Sequence, residues 1–127
     1  MKDRKRLVKP KRKKIKYAGT SYYITVLTYT SNSMRLKIEN DKESRDITVD
    51  IPDSFISNDM ALLDPVVLNN GLFKTLKKAR IIRWLTDYTE LNSVPIPIVK
   101  ININILKLYD YNGVYNHLNK IQEKEGF

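Results

Sequence analysis

TSYYITVLTYTSNSMRLKIENDKESRDITVDI, residues 20–51, decides the fold. Tyr22, Ile24 and Val26 fall on one face at period two and Tyr23, Leu27 and Tyr29 on the other, in a stretch rich in strand formers. With both faces apolar it reads as a central strand. Ser31-Asn32-Ser33 turns the chain, and Met34, Leu36 and Ile38 then alternate with Arg35, Lys37 and Glu39, the pattern of a strand with one wet face. After a second polar turn at Asn40 to Ser44, Ile47, Val49 and Ile51 alternate with Asp46, Thr48 and Asp50. Three strands joined by short polar turns predict an antiparallel meander.

Downstream, Pro52 ends the sheet segment, and the stretch from Asp53 to Pro65 is expected to be an irregular or short-helical crossover. Asn69-Asn70 offers a helix cap, because its side-chain oxygen can accept a first-turn amide, and Leu72, Phe73, Leu76 and Ala79 follow at helical spacing with Lys74, Lys77 and Lys78 opposite. Ile81, Ile82, Trp84 and Leu85 read as either a helix end or a short strand, the strand being preferred, and a polar stretch, Thr86 to Ser93, follows. Pro95 and Pro97 limit the segment from Val94 to Val99 to an edge strand. Ile101, Ile103 and Ile105 alternate with asparagines, which predicts a strand reaching toward Tyr109. Asn112-Gly113 then turns into a short amphipathic helix with Val114, Leu118 and Ile121 inward. The predicted class is α+β: a mainly antiparallel sheet with an N-terminal three-stranded meander, one packed middle helix and a short C-terminal helix.

Upstream lies the charge. The chain has 127 residues with 23 Lys and Arg against 14 Asp and Glu, a formal charge of +9. Residues 1–16 hold ten of the cations, Lys2, Arg4, Lys5, Arg6, Lys9, Lys11, Arg12, Lys13, Lys14 and Lys16, against Asp3 alone, and so carry the whole excess. Like charges at this density repel and Pro10 interrupts any helix, so residues 1–16 are expected to be a disordered basic arm on a single neutral α+β domain spanning 17–127. In that domain Lys74, Lys77, Lys78, Arg80 and Arg83 form a basic cluster with no acid between Asp64 and Asp87.

Composition narrows the chemistry. At 42% apolar and 29% charged residues the domain has enough apolar side chains for a core. Zero cysteines exclude disulfides, thiolate metal sites and cysteine nucleophiles. No apolar run approaches the ~20 residues of a membrane span, and the basic start leads into Tyr17-Ala18-Gly19-Thr20-Ser21 rather than a signal-peptide core, which predicts an intracellular protein. The one histidine, His117, reads as a boundary or surface residue. Asp50 with Asp53 and Asp59 with Asp64 read as solvated turn carboxylates, and the four glycines stand apart, so no phosphate loop forms. No catalytic residues, cofactor or metal ligands are assigned, and the chain is not expected to be an enzyme.

What remains is polyphosphate. Cations on a flexible arm contact phosphates without preformed shape and release condensed counterions, and the Lys74 to Arg83 cluster could extend that footprint. Eight tyrosines and Trp84 invite a stacking platform for single strands, but most read as core, leaving Tyr17 beside the arm as the stacking candidate. The expected partner is nucleic acid or a ribonucleoprotein, DNA and RNA both remaining open. A polybasic arm would also gain at an anionic membrane surface, but no lipidation signal or apolar anchor accompanies it.

Ile51-Pro52-Asp53, then Asn69-Asn70-Gly71-Leu72-Phe73-Lys74-Thr75-Leu76, Ala79, Ile81-Ile82 and Val94-Pro95-Ile96 carry a resemblance across about residues 34–101. Their order is similar to that in small domains of unknown function carried by plasmids, phages and conjugative elements of gram-positive bacteria. There a strand ending in a hydrophobic residue, Pro and Asp leads through an irregular stretch to a Gly-Leu-Leu helix and strands with a Val-Pro pair. Arg80 stands where such proteins often have a helix-ending glycine, and the basic arm lies outside the shared region. The resemblance implies a context: a mobile-element protein acting in the bacterial cytoplasm, or in the host cytoplasm if phage-encoded. The composition agrees, since 14 Ile, 16 Lys and 11 Asn against 3 Ala are what an AT-rich genome encodes. In that context the alternative is an inhibitor of a host defence nuclease, of anti-CRISPR or anti-restriction type, acting through protein or guide-RNA binding.

Overall fold

Period-two burial builds the first sheet. In a computed structural model, which describes residues 11–52 and 56–124, strands β1 (Ile15–Tyr17), β2 (Thr20–Thr28), β3 (Met34–Glu39) and β4 (Ser44–Asp46) pair antiparallel in that order. Met34, Leu36 and Ile38 point inward and their neighbours outward, as their alternation requires. Tyr22, Ile24 and Val26 join the same core, while Tyr23 and Leu27 face solvent, so β2 is central in the sheet but has one wet face. The third strand of the meander lies earlier than its sequence pattern suggests. Ile47 to Val49 leave β4 and cross to the second sheet: the Val49 amide donates to the Leu62 carbonyl, and Thr48 bridges Leu63. Thr48 Oγ1 accepts from the Leu36 amide at 3.0 Å, replacing the ladder bond that β4 no longer supplies.

The second sheet has the order β5-β7-β6, with β5 (Met60–Leu62), β6 (Ile82–Leu91) and β7 (Val94–Ile101). Two expectations change here. A strand occupies part of the predicted crossover, and the segment expected at an edge is the central strand. Pro97 explains the second change. Its carbonyl accepts from Leu63 on the β5 side, so its ring nitrogen faces that same edge, and Pro95 shares the parity. Neither proline removes a donor from the ladder with β6. The polar stretch from Thr86 onward is the outer half of β6, paired through to Leu91.

Between β5 and β6 along the chain come α1 (Val66–Asn69) and α2 (Leu72–Lys78), with α2 packed on β1 and β6, and α3 (Ile103–Lys124) follows β7. The expected strand through Ile103 and Ile105 is helix. Asn102 Oδ1 accepts from the Ile105 amide, and burial then follows Leu106, Tyr109, Asp110, Val114 and His117 at helical spacing. The break expected at Asn112-Gly113 falls at Asp110, whose backbone (φ −157°, ψ 79°) leaves the helical region. Asp110 Oδ1 caps the second half through the Gly113 amide, and Oδ2 accepts from the Val26 amide. The helix thereby covers the part of β2 that β1 does not reach. One core joins the inner faces of both sheets with Leu72, Leu76, Leu106 and Val114. A smaller cluster of Ile51, Leu62 and Ile96 fills the opposite face of the second sheet.

Candidate nucleic-acid interface

α2 presents the basic cluster because its apolar positions are three and four residues apart. Leu72 and Leu76 are buried, and Lys74, Lys77 and Lys78 are exposed. Asn70 Oδ1 accepts from the Leu72 amide at 3.0 Å, so the asparagine acts at the helix start as its position suggests. The far end closes with the Arg80 amide bonded to the Lys77 carbonyl and the Ile81 amide to that of Leu76, both at 3.0 Å. This paired closure places Arg80 in the left-handed region at φ 66°. Glycine is the residue suited to that position; here an arginine holds it and keeps its side chain in solvent.

Arg80 leads directly into β6, where a register shift between Ile82 and Trp84 makes Arg83 the extra residue of a bulge. Arg83 and Trp84 are both exposed, the indole at 49%, and the Arg83 guanidinium lies 5.3 Å from the ring centroid. Lys77, Arg80, Arg83, Trp84, Ile82 and Asn102 together line an open notch of about 250 Å³. Trp84, expected with most of the aromatics in the core, is instead part of this surface. Nothing in its local sequence marks this, because exposure follows from the bulge.

The start of the described chain meets α3. The Lys13 amide donates to the Leu108 carbonyl at 3.0 Å, and Leu108 is six residues along α3 from Asn102, about 9 Å at the helical rise. Beside it, β1 packs on α2, with the Tyr17 hydroxyl donating to the Asn70 carbonyl. Tyr17, the expected stacking candidate, is thus half-buried with its hydroxyl held in the fold.

Residues 11–16 depart from the expected arm. Ile15 is buried in the core and β1 begins there, so the folded part starts several residues earlier than 17. Arg12 belongs to that folded part. Its Nε donates to the Tyr109 carbonyl at 2.8 Å and its Nη2 to the Ile24 carbonyl at 2.6 Å, with Asp110 3.9 Å away and the Tyr23 ring 4.8 Å away. These contacts fasten β2 to α3 and leave the guanidinium little to offer a phosphate. Lys11, Lys13, Lys14 and Lys16 are exposed, Lys14 standing over Tyr23 and Lys13 over Tyr109. Lys2, Arg4, Lys5, Arg6 and Lys9 lie outside the described residues.

The remaining polar candidates serve the fold. Asp59 pairs with Lys100, Asp64 accepts from the Val66 amide, and Asp50 accepts from Ser31, while Asp53 lies outside the described residues. Among the described residues no group of three or more His, Asp or Glu is arranged to hold a metal ion, and no helix is long and apolar enough to cross a membrane. His117, expected at the boundary or surface, is 1% exposed, with Nδ1 2.6 Å from Thr28 Oγ1. A broader cleft of about 670 Å³ mixes Lys14 and Lys42 with Glu39 and Asp41, and so lacks the single sign of the notch.

Fold and surface together define an α+β chain with a basic notch beside an aromatic plane. No family model, curated protein or solved structure matches it.

The conformation of Arg80 supplies a test of the fold. A non-glycine residue in the left-handed region costs about 1–2 kcal/mol, part of which glycine returns through its greater freedom when unfolded. Arg80→Gly is therefore expected to stabilise the protein by about 0.5–1 kcal/mol, raising the melting temperature by a few degrees. Arg80→Ala should show no such gain. A melting temperature that falls in Arg80→Gly would show that the side chain is needed for packing.

Proposed function

We propose that this chain is a non-enzymatic nucleic-acid- or ribonucleoprotein-binding accessory protein of a mobile genetic element. The observation that carries the reading is the gathering of Lys77, Arg80 and Arg83 with Trp84 and Asn102 in one notch. The arm supplies affinity through phosphates, and the notch and α2 add a fixed contact. Support for the mobile-element context comes from the AT-rich composition and from the order of motifs between residues 34 and 101.

Salt dependence tests the reading. Each neutralised phosphate contributes about −0.9 to the slope of log affinity against log salt, so engagement of about six gives a slope near −5. Changing Lys2, Arg4, Lys5, Arg6 and Lys9 to Gln keeps Arg12 and β1 intact and is expected to flatten the slope by several units. Lys74, Lys77 and Lys78 changed to Gln should flatten it by about 2–3, measured by mobility shift on DNA and RNA. Absence of binding at low salt, or a slope that neither variant changes, would overturn it. Capture of a host nuclease that survives nuclease digestion, together with no affinity for free nucleic acid, would favour the inhibitor alternative.

A further inference from the structure

We infer that the notch between α2 and β6 holds one unpaired nucleotide, its base stacked on Trp84 and its phosphate against Arg80 and Lys77, so that the surface prefers single strands to duplexes. The inference rests on the nucleic-acid reading and adds its substrate class.

Three features of the notch converge on a nucleotide. The first is a plane. Trp84 is half exposed although the indole is a large apolar group that ordinarily contributes to a core, and the planar guanidinium of Arg83 already lies over it. A base would offer the indole a flat partner of larger surface. The second is charge: Lys77, Arg80 and Arg83 line the notch, and among the described residues no carboxylate does. On the same face of the sheet, the carboxylate of Asp59 is neutralised by Lys100. The third is a donor. Asn102 Oδ1 accepts from the Ile105 amide, and the same side chain carries the two Nδ2 hydrogens as donors. They suit a base carbonyl or a phosphate oxygen.

Size and access decide between ligands. At about 250 Å³ and open to solvent, the notch is smaller than the ~300–1,000 Å³ clefts that enclose drug-sized molecules. It accommodates a single base with the rest of the strand outside. In a duplex each base face is covered by its neighbours, and the grooves expose only base edges. Trp84 can stack on a base only where the strand is unpaired or frayed.

Trp84 is the chain's one tryptophan, so its emission reports occupancy of this notch alone. The full-length protein is titrated at low salt with an oligothymidylate, an oligouridylate and a duplex of equal length, exciting the indole selectively. Both single strands are expected to quench the emission and to bind more tightly than the duplex. Trp84→Ala is expected to weaken single-strand affinity about 5- to 150-fold, the range for loss of one stacked base, and Trp84→Phe to fall between. Duplex affinity should be the same in all three proteins. Because the indole is exposed, Trp84→Ala should fold, and circular dichroism checks this. Equal single-strand and duplex affinity, with unchanged emission and an unaffected Trp84→Ala, would overturn the notch assignment and leave the broader basic reading standing. Failure of the full-length protein to bind any of the three would overturn both.

Discussion

Gly113→Ala is expected to destabilise the protein by about 3–5 kcal/mol, a large share of the 5–15 kcal/mol that holds an ordinary domain together. The glycine is required by space. A Cβ on residue 113 would stand 2.2 Å from Asp110 Oδ2 and 2.7 Å from the Val26 carbonyl oxygen. Neither atom can yield freely. Asp110 is held by the Val26 and Gly113 amides and lies 3.9 Å from Arg12, and Val26 is paired in the middle of β2. The added methyl must therefore push α3 off the strand edge. Overpacking costs about 1–3 kcal/mol, and each buried polar group left without its partner adds about 1–3 kcal/mol. In urea, with a slope of about 1–3 kcal/mol/M, the midpoint should fall by more than 1 M. Asp110→Ala removes the nearer obstacle, so the double variant should lose less than the two single losses added together. Strict additivity would show that the carboxylate is not what the methyl meets.

The same junction shows why part of the molecule is legible from its sequence and part is not. Met34, Leu36 and Ile38 reveal their strand because one dry face imposes period two, and Leu72 and Leu76 reveal α2 because they recur four apart just after Asn70, whose side chain accepts the Leu72 amide. Both signals are local. Arg12 has no local signal: its partners Tyr109 and Asp110 are almost a hundred residues away, and among ten neighbouring cations it looks like one more arm residue. The Ile103 and Ile105 alternation misleads for a different reason. Isoleucines two apart fit a strand, yet half-buried positions flanking a helical stripe give the same spacing over so short a stretch, and Asn102 is the cue that separates the two. Pro95 and Pro97 mislead because a proline weakens a strand only on the edge its nitrogen faces, and that edge is set by register. At the candidate site, the lysines of α2 and the charge of Arg80 and Arg83 are readable. The exposure of Trp84 is not, since a bulge in β6 produces it.

Acid should unfold this protein through its single histidine. His117 is 1% exposed and packed against β2, and burial, with a smaller contribution from Lys120 one turn away, lowers its pKa to about 4 from an unfolded value of 6.5. The folded state therefore keeps the ring neutral where the unfolded chain already binds a proton. Stability from this group is complete above pH 6.5 and is lost as pH falls toward 4, in the sense expected for a depressed folded pKa. Linkage puts the loss at about 2 kcal/mol by pH 5 and about 3 kcal/mol at pH 4. Carboxylates titrate below about pH 5, so the informative window lies between pH 7 and pH 5. His117→Gln keeps a hydrogen-bonding group near Thr28 Oγ1 but cannot charge. Its unfolding free energy, lower at neutral pH through imperfect packing, should be nearly flat across that window while the parent's falls. Parallel curves for the two proteins would mean that the imidazole protonates as readily folded as unfolded, and that the contact between α3 and β2 opens enough to admit water.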